Sequence, residues 1–162
     1  PMEKKHKLIY GLSVAIVILL ADQISKWWVV REFEHSHSVK SITSYLNLVL
    51  THNHGISFGL LASDSLTTRL ILIVVTVSIS CLLIWWLTTT KTRIGVVSLG
   101  AIIGGAFGNI TDRITVGAVV DFIDFHVFDF HWPAFNVADS AICIGAAMII
   151  LESFFTQNNS PS

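Results

Sequence analysis

Four long runs of apolar residues divide the chain, and mixed or polar segments separate them. The predicted spans are residues 8–30, 68–88, 94–113 and 137–156. Each run is long enough to cross a bilayer as a helix, which takes about 20 residues. A basic start before an apolar run is also typical of a cleaved signal peptide, but three further spans follow and no small-residue cleavage site ends the run. We therefore predict a retained first helix in a single integral membrane domain covering residues 1–162.

The loops between spans, at 31–67 and 114–136, differ in character from the short 88–93 turn. In the first loop, residues 45–50 alternate in a strand-like composition, and a turn signal follows. Residues 56–62 are apolar again and predict a short helix in the membrane interface. The expected fold is thus an all-α membrane bundle of four helices with a small β-structure and one interfacial helix outside the spans.

Composition supports the membrane class and excludes one kind of partner. The mean hydropathy is +0.69, and only 13% of the residues are charged, where a soluble domain carries roughly 25%. The net charge of −1 provides no basic surface for nucleic acid. Both cysteines, Cys81 and Cys143, fall inside apolar runs, where we interpret them as packing residues.

Lysine and arginine positions predict the orientation of the chain in the membrane. The N-terminal segment and the 88–93 turn carry most of the loop charge, namely Lys4, Lys5, Lys7, Lys91 and Arg93. The other two loops carry Arg31 and Lys40, with Arg69 and Arg113 at span edges. Because positively charged loops stay in the cytoplasm, we expect both termini there and loops 31–67 and 114–136 on the outer side.

Glycines recur every four residues in the third span, at Gly100, Gly104 and Gly108. This spacing places them on one helix face, where small residues let a neighbouring helix approach closely. Asp112 continues the same row, so we expect its side chain to face protein rather than lipid.

The segment 117–139 concentrates acidic side chains among apolar ones. It carries Asp121, Asp124, Asp129 and Asp139. Carboxyl groups beside an apolar medium tend to have raised and mutually separated pKa values, which makes acid–base chemistry available from one residue type. Asp121 is the clearest candidate, because a strand at the membrane surface needs no acid between valines and Phe122. Asp139 is the expected partner of Asp121 in catalysis.

A second interpretation of Asp139 stays open. Asn136 and Asp139 have the spacing of a helix N-cap and an acidic third residue, so Asp139 could serve only to cap the fourth helix.

Further polar residues lie late in the outward-running spans. Asp22 and Lys26 are four residues apart and can pair on one helix face, either to neutralise each other or to shape a site. Asn109, Asp112 and Arg113 end the third span, either for interhelical hydrogen bonding or as part of the same site, where Arg113 could hold a carboxylate bidentately. Since charges inside a bilayer are costly, their gathering at one depth suggests a shared polar site.

Histidines raise the alternative of a metal-dependent protease. Six of the seven lie in the outer loops, at His35, His37, His52, His54, His126 and His131. No span carries the metal-binding H-E-x-x-H pattern, and the pairs separated by one residue are a weak signal, so we predict no metal site. A transporter, with polar residues lining a path, is the other alternative, but the charges gather on one side instead of tracing a route.

Aromatic residues surround the acidic segment. They are Phe122, Phe125, Phe128, Phe130, Trp132 and Phe135. They predict either an aromatic belt at the membrane interface or the wall of a lipid-accepting groove, and the two interpretations are compatible.

Five sequence blocks, in order and with fitting spacing, resemble the lipoprotein signal peptidases (signal peptidase II). The blocks are DQISK at 22–26, NHGISF at 53–58, GGAFGNITDR at 104–113, VVDFI at 119–123 and FNVADS at 135–140. The last three together are highly specific. One departure is His54, which stands where the family often has a small polar residue.

The resemblance implies a bacterial inner-membrane aspartic endopeptidase. It implies a four-helix bundle, an extracytoplasmic β-cradle, an interfacial helix, and an active site near the outer face with Asp121 and Asp139 as the catalytic pair. The implied supporting residues are Asp22, Lys26, Asn53, Gly55, Gly108, Asn109, Asp112, Arg113, Asn136 and Ala138. The implied substrates are prolipoproteins, cleaved before a diacylglyceryl-modified cysteine. The implied inhibitors are globomycin-like cyclic peptides, membrane lipids are the surrounding partners, and no cofactor is needed.

Overall fold

The computed structural model describes residues 2–34, 39–55 and 63–158, and it has four helices and four strands in these ranges. The helices are α1 (Lys4–Glu34), α2 (Leu66–Thr89), α3 (Arg93–Thr115) and α4 (Val137–Asn158). The strands are β1 (Lys40–Thr43), β2 (Leu46–Asn53), β3 (Val119–Val127) and β4 (Phe130–His131). The expected interfacial helix at 56–62 lies outside the described residues, as do His35 and His37.

All four helices are long and apolar enough to cross a membrane. The prediction of four long apolar helices with a small β-structure is confirmed. The helices extend beyond the apolar runs, most clearly in α1, because backbone hydrogen bonding continues into polar residues after hydropathy has fallen. Side-chain caps begin two of them: Ser65 accepts from the Thr68 amide, and Thr92 accepts from the Gly95 amide.

Helix α3 is the centre of the bundle. Over an apolar stretch of 18 residues in α3, 67% of the residues are buried, whereas 17% are buried over a stretch of the same length in each of the other helices. It packs against α1, α2 and α4, so the outer helices face lipid and α3 faces protein. Polar side chains on α3 can therefore be kept away from lipid by its three neighbours.

The glycine row of α3 permits this close packing. A β-carbon at Gly100 or Gly104 would meet the backbone of α1, at the carbonyls of Gly11 and Ala15. On another face of α3, a β-carbon at Gly105 would meet the carbonyl of Ala138 in α4. The expected helix approach is confirmed, and it brings three helices together at small residues.

The four strands form one antiparallel sheet in the order β1-β2-β3-β4. The sheet packs on one end of the bundle, where Val29 and Phe33 of α1 and Phe122 of β3 form a buried apolar cluster. Strand β3 follows the C-terminal end of α3 and leads through β4 to the start of α4. The sheet therefore holds the acidic segment over the ends of α1, α3 and α4.

Candidate active site

Asp121 and Asp139 become neighbours although they come from different elements. Asp121 lies in the buried first half of β3, and Asp139 lies in the first turn of α4. Asn136, directly before α4, contacts both: its side-chain amide donates to Asp121 Oδ1 at 2.8 Å, and its backbone amide donates to Asp139 Oδ2 at 3.3 Å. One residue thus sets the relative position of the two carboxyl groups.

Two more asparagines complete the hydrogen bonding of this pair. Asn53, at the end of β2, donates to Asp121 Oδ2 at 3.2 Å. The side-chain amide of Asn109 in α3 donates to Asp139 Oδ1 at 2.9 Å. The side-chain oxygen of Asn109 accepts from the Asn136 side chain at 3.2 Å. Amide donors therefore orient all four carboxyl oxygens without contributing a formal positive charge.

The electrostatics of Asp121 suit proton transfer near neutral pH. Burial, and then the nearby charge of Asp139, raise the pKa of Asp121 from 3.8 to about 7, against the lowering effect of Asn53, Lys26 and Asn136. Among the described residues, neither Asp121 nor Asp139 lies within ion-pair distance of a lysine, arginine or histidine. A carboxyl group that titrates near pH 7 can act as an acid or a base.

A neighbouring cluster joins two carboxylates to one cation. The ammonium group of Lys26 lies 2.7 Å from both Asp22 Oδ2 and Asp112 Oδ2, and all three side chains are buried. The interpretation of Asp22 and Lys26 as a pair is confirmed, and Asp112, expected to face protein, completes it. The same ammonium donates to Asn109 at 3.2 Å, which joins this cluster to Asp139.

Backbone contacts fix the cluster to the elements that carry the two aspartates. Asp22 Oδ1 accepts from the Ala138 amide at 2.9 Å, and Asp112 Oδ2 accepts from the Val120 amide at 3.0 Å. A β-carbon at Gly108 would meet Asp22 Oδ2, so glycine leaves space for this carboxylate. Ala138 and Gly108 therefore lie beside the ion-paired cluster and position it.

The expectation for Arg113 is wrong in its detail. Arg113 holds no carboxylate among the described residues. Its guanidinium instead donates to the Gly55 carbonyl at 2.8 Å and to the Asn109 carbonyl at 3.4 Å. The backbone carbonyls of Gly55, just after β2, and of Asn109 in α3 therefore take the place of a carboxylate partner. Arg113 thereby ties the segment after β2 to the centre of the bundle, while Gly55 contributes a backbone carbonyl rather than a side chain.

The capping alternative for Asp139 also has a structural basis. Asn136 Oδ1 accepts from the Asp139 amide at 2.8 Å, while Asp139 Oδ2 accepts from the Asn136 amide, which is a reciprocal capping arrangement. Only one oxygen of Asp139 takes part in the cap. The other accepts from Asn109, so capping and membership of the site coexist.

Asp124, three residues after Asp121 on the same strand, lies in a different environment. His131 Nδ1 is 2.8 Å from Asp124 Oδ1, and Asn47 donates to Asp124 Oδ2 at 3.0 Å. Burial alone would raise the pKa of Asp124, but the hydrogen bonds from His131 and Asn47 outweigh it and the pKa is lowered. Asp124 is therefore held as a carboxylate away from the pair.

Gln23 is a site residue that the sequence interpretation missed. Its side-chain amide donates to Asp112 Oδ1 at 2.9 Å and to the Gly108 carbonyl at 3.3 Å. A polar residue directly beside Asp22 in an apolar run was the available signal. Within the described ranges, no three metal-ligating side chains converge, and His131 instead pairs with Asp124.

Two cavities meet at Asp139. One, of about 250 Å³, lies between α2, α3 and α4 and is lined by Asn53, Asn109, Arg113 and Asp139 together with apolar side chains such as Ile79. The other is an open apolar groove of about 400 Å³ along the start of α4. Its lining residues are Trp132, Pro133, Ala134, Phe135, Asp139, Ser140, Cys143 and Ile144. An extended chain could run from one cavity to the other across Asp139.

The fold and the site define a multi-span membrane protein in which Asn136 bridges two neighbouring carboxyl groups. Residues 14–155 match the family model described as signal peptidase (SPase) II. The chain belongs to the signal peptidase II family, and so to a family of proteases.

Related proteins and solved structures agree with this assignment. The chain is 41% identical over 148 residues to a lipoprotein signal peptidase of Polynucleobacter necessarius, covering 91% of this chain and 90% of the relative. It is 42% identical to one of Yersinia enterocolitica, covering 90% and 86%. Two solved bacterial membrane enzymes are similar in fold at 26% identity. One has a TM-score of 0.82 and covers 94% of this chain and 92% of its own; the other has 0.77, with 88% and 90%.

Proposed function

We propose that this chain is an aspartic endopeptidase that removes signal peptides from prolipoproteins by cleaving before the diacylglyceryl-modified cysteine. Removal of signal peptides from prolipoproteins follows from the family and from relatives named lipoprotein signal peptidases. The aspartic type rests on one observation: Asn136 hydrogen-bonds both Asp121 and Asp139 and holds them side by side.

In the proposed reaction, one carboxyl group of the pair is ionised and the other is protonated. Two like charges in close proximity cannot both ionise easily, and the pKa of Asp121 is raised by burial and then by the charge of Asp139. The ionised group takes a proton from a water molecule, which attacks the carbonyl carbon of the scissile peptide. The protonated group donates to the carbonyl oxygen, and a proton then passes to the leaving amine.

The substrate would reach this pair sideways from the lipid. Helices α2 and α4 both flank α3, and the 250 Å³ cavity separates them beside Asp139. The signal helix would dock along this cleft, while the diacylglyceryl chains would stay in the surrounding membrane lipid. Arg113 would support peptide binding. It lines this cavity, and its buried Nε makes no hydrogen bond among the described residues.

The supporting residues divide into two proposed roles. Asn53, Asn109 and Asn136 orient the catalytic carboxyl groups directly. The others hold the elements that carry those groups, and they are Asp22, Lys26, Gly55, Gly108, Asp112, Arg113 and Ala138.

The proposed orientation puts the sheet, as a cradle, on the extracytoplasmic side of a single bacterial inner-membrane domain. The site lies at the end of the bundle where α1 and α3 finish and α4 starts. Lys4, Lys5 and Lys7 lie at the opposite end of α1, as do the residues between α2 and α3. By the positive-inside rule this basic end is cytoplasmic, so both termini are cytoplasmic and the aspartates meet the outer face.

The direct experiment is incubation of the purified chain with a diacylglyceryl-modified precursor, followed by gel shift and mass analysis of the products. We expect cleavage directly before the modified cysteine, inhibition by a globomycin-like cyclic peptide, and no loss of activity with a metal chelator. Sensitivity to chelator would contradict the aspartic type. Cleavage of an unmodified precursor at the same rate would contradict the proposed substrate.

A further inference from the structure

The second half of β3 and β4 form a hairpin with two different faces. Val127 pairs with Phe130 across the strands, and the Trp132 amide donates to the Phe125 carbonyl at 2.8 Å. Alternate residues and directly paired residues point to the same side of a hairpin. Phe125, Val127, Phe130 and Trp132 therefore share one side, here called the apolar hairpin face.

The opposite side of the hairpin carries the polar residues Asp124, His126 and His131. The rings of His126 and His131 stack with their centroids 4.8 Å apart, and His131 contacts the carboxylate of Asp124. The side chains of the apolar hairpin face are exposed by between 41% and 69%. When one side of a hairpin is apolar and exposed, that side is expected to contact an apolar partner.

The loop of the hairpin makes this exposure more pronounced. Phe128 and Asp129 form a two-residue turn, and Phe128 has φ 52°, the only positive φ at a non-glycine among the described residues. A positive φ at the first turn residue alone is typical of a type II′ turn, where glycine is preferred. The phenylalanine side chain is 90% exposed and gains little from the rest of the chain to offset this conformation.

Lipid is the partner that the position of this face favours. The hairpin leads directly into α4, and Trp132 lines one groove with Cys143 and Ile144, which are exposed on this membrane-spanning helix. The apolar hairpin face is therefore continuous with a lipid-facing helix surface. Aromatic side chains next to the end of a span are typical of the membrane interface.

We propose that Phe128 and the apolar hairpin face insert into the boundary between lipid headgroups and acyl chains, in the leaflet where α4 begins. Because β3 also carries Asp121, this contact would set the height of Asp121 relative to the bilayer. The aromatic residues of the acidic segment thus have different surroundings. Phe122 is buried in the core and Phe135 lines the groove, while the aromatic residues of the hairpin would contact lipid. The inference rests on the fold and not on the proposed peptidase activity.

The test places the photoreactive residue p-benzoylphenylalanine at position 128 of the full chain. The protein is reconstituted without substrate in vesicles of phosphatidylethanolamine and phosphatidylglycerol, irradiated, and analysed by intact mass. We expect adducts of the mass of one phospholipid, about fivefold more abundant than with the same probe at Val39, which is 61% exposed beside the opposite edge of the sheet. Equal yields at the two positions, or crosslinks to a second copy instead of lipid, would overturn the proposal.

A second variant isolates the contribution of Phe128. Glycine suits the positive φ, so Phe128→Gly should fold with an unfolding temperature no lower than that of the unchanged chain. With the probe at Phe130, this substitution should reduce lipid adducts about threefold, because the tip no longer inserts. An unchanged yield at position 130 would remove Phe128 from the proposed contact.

Discussion

The Asp22–Lys26–Asp112 cluster and the Asp121–Asp139 pair lie at the same end of the bundle, yet their charges are compensated differently. In the first, one ammonium group lies 2.7 Å from a carboxylate on either side. In the second, amide groups are the donors to the carboxyl oxygens among the described residues. A buried carboxyl group without a cation beside it retains its proton more strongly, and burial raises the pKa of Asp121.

This difference separates a structural role from a chemical one. The cluster joins α1, α3, β3 and α4 through Lys26 and the amides of Val120 and Ala138. The pair lies on β3 and α4, where Asp139 lines a cavity and Asp121 has a pKa raised to about 7. The charged cluster thus links the helices to the sheet, whereas amide donors surround the proposed catalytic pair.

The largest expected effect is on activity, when either member of the pair is changed. Asp121→Asn and Asp139→Asn should each reduce the cleavage rate by between about 100-fold and 10,000-fold, because each removes a proton-transfer group. The measurement is single-turnover cleavage of a lipid-modified precursor by protein shown to be folded. Near-normal cleavage by either variant would exclude that residue from catalysis.

The cluster should respond in stability rather than in chemistry. Lys26→Met leaves Asp22 and Asp112 buried without their cation, which should lower the free energy of unfolding by about 3–5 kcal/mol. Thermal unfolding in detergent micelles measures this loss. The matched control is Lys40→Met, since Lys40 also lies 2.6 Å from a carboxylate, that of Glu32, but both side chains are exposed.

The control should change stability by less than about 1 kcal/mol. Equal losses of stability in Lys26→Met and Lys40→Met would contradict a structural role for the buried cluster.

A pH dependence of stability should follow from the pair. The pKa of Asp121 is about 7 in the folded chain against 3.8 as its ordinary value, so the folded state binds more protons between these values. Stability should therefore be highest near pH 4 and decline as pH rises through about 7, by at most on the order of 4 kcal/mol from this group. Comparing unfolding temperatures of the unchanged chain and Asp121→Asn at pH 5 and pH 8 isolates it.

Asp121→Asn should flatten this decline and be the more stable protein at pH 8, although inactive. A parallel decline in both proteins would show that Asp121 does not have a raised pKa.

The smallest effect on activity is expected at Asp124. Its pKa is lowered by contacts with His131 and Asn47, so it stays charged and bound on the polar side of the hairpin. Asp124→Asn should change the cleavage rate by less than about threefold and stability by about 1 kcal/mol. Its stabilising effect is present above its unfolded pKa and is lost as pH falls below about 4. A loss of activity comparable to that of Asp121→Asn would contradict the proposed assignment of Asp121, rather than Asp124, as the catalytic residue of β3.

The residues whose role was clear in advance are those with a local pattern. The spacing of Asp22 and Lys26 predicted their pair, and the glycine row predicted the close approach of α1 to α3. The spacing of Asn136 and Asp139 predicted the reciprocal cap at the start of α4. In each case the interaction is set by helix geometry over a few residues, so the chain alone specifies it.

Other contacts depended on distance in space between segments far apart in the chain. Arg113 binds the Gly55 carbonyl rather than a carboxylate, Gln23 reaches Asp112, and Asp124 accepts a hydrogen bond from Asn47 of β2. Sequence spacing does not predict such partners, because the hydrogen bond forms with the group that the packing of helices and strands brings within about 3 Å.

Hydrophobic periodicity and charge placement by themselves determined four membrane helices, one polar end and the set of acidic candidates, because those properties follow from the free energy of each residue in water and in lipid. Only the tertiary structure decided that Asp112 shares the cation of Lys26, and that Asp121 and Asp139 receive asparagine amides. That choice is electrostatic and acts over a few ångströms between α1, α3, β3 and α4, so it exists only once these elements are packed together.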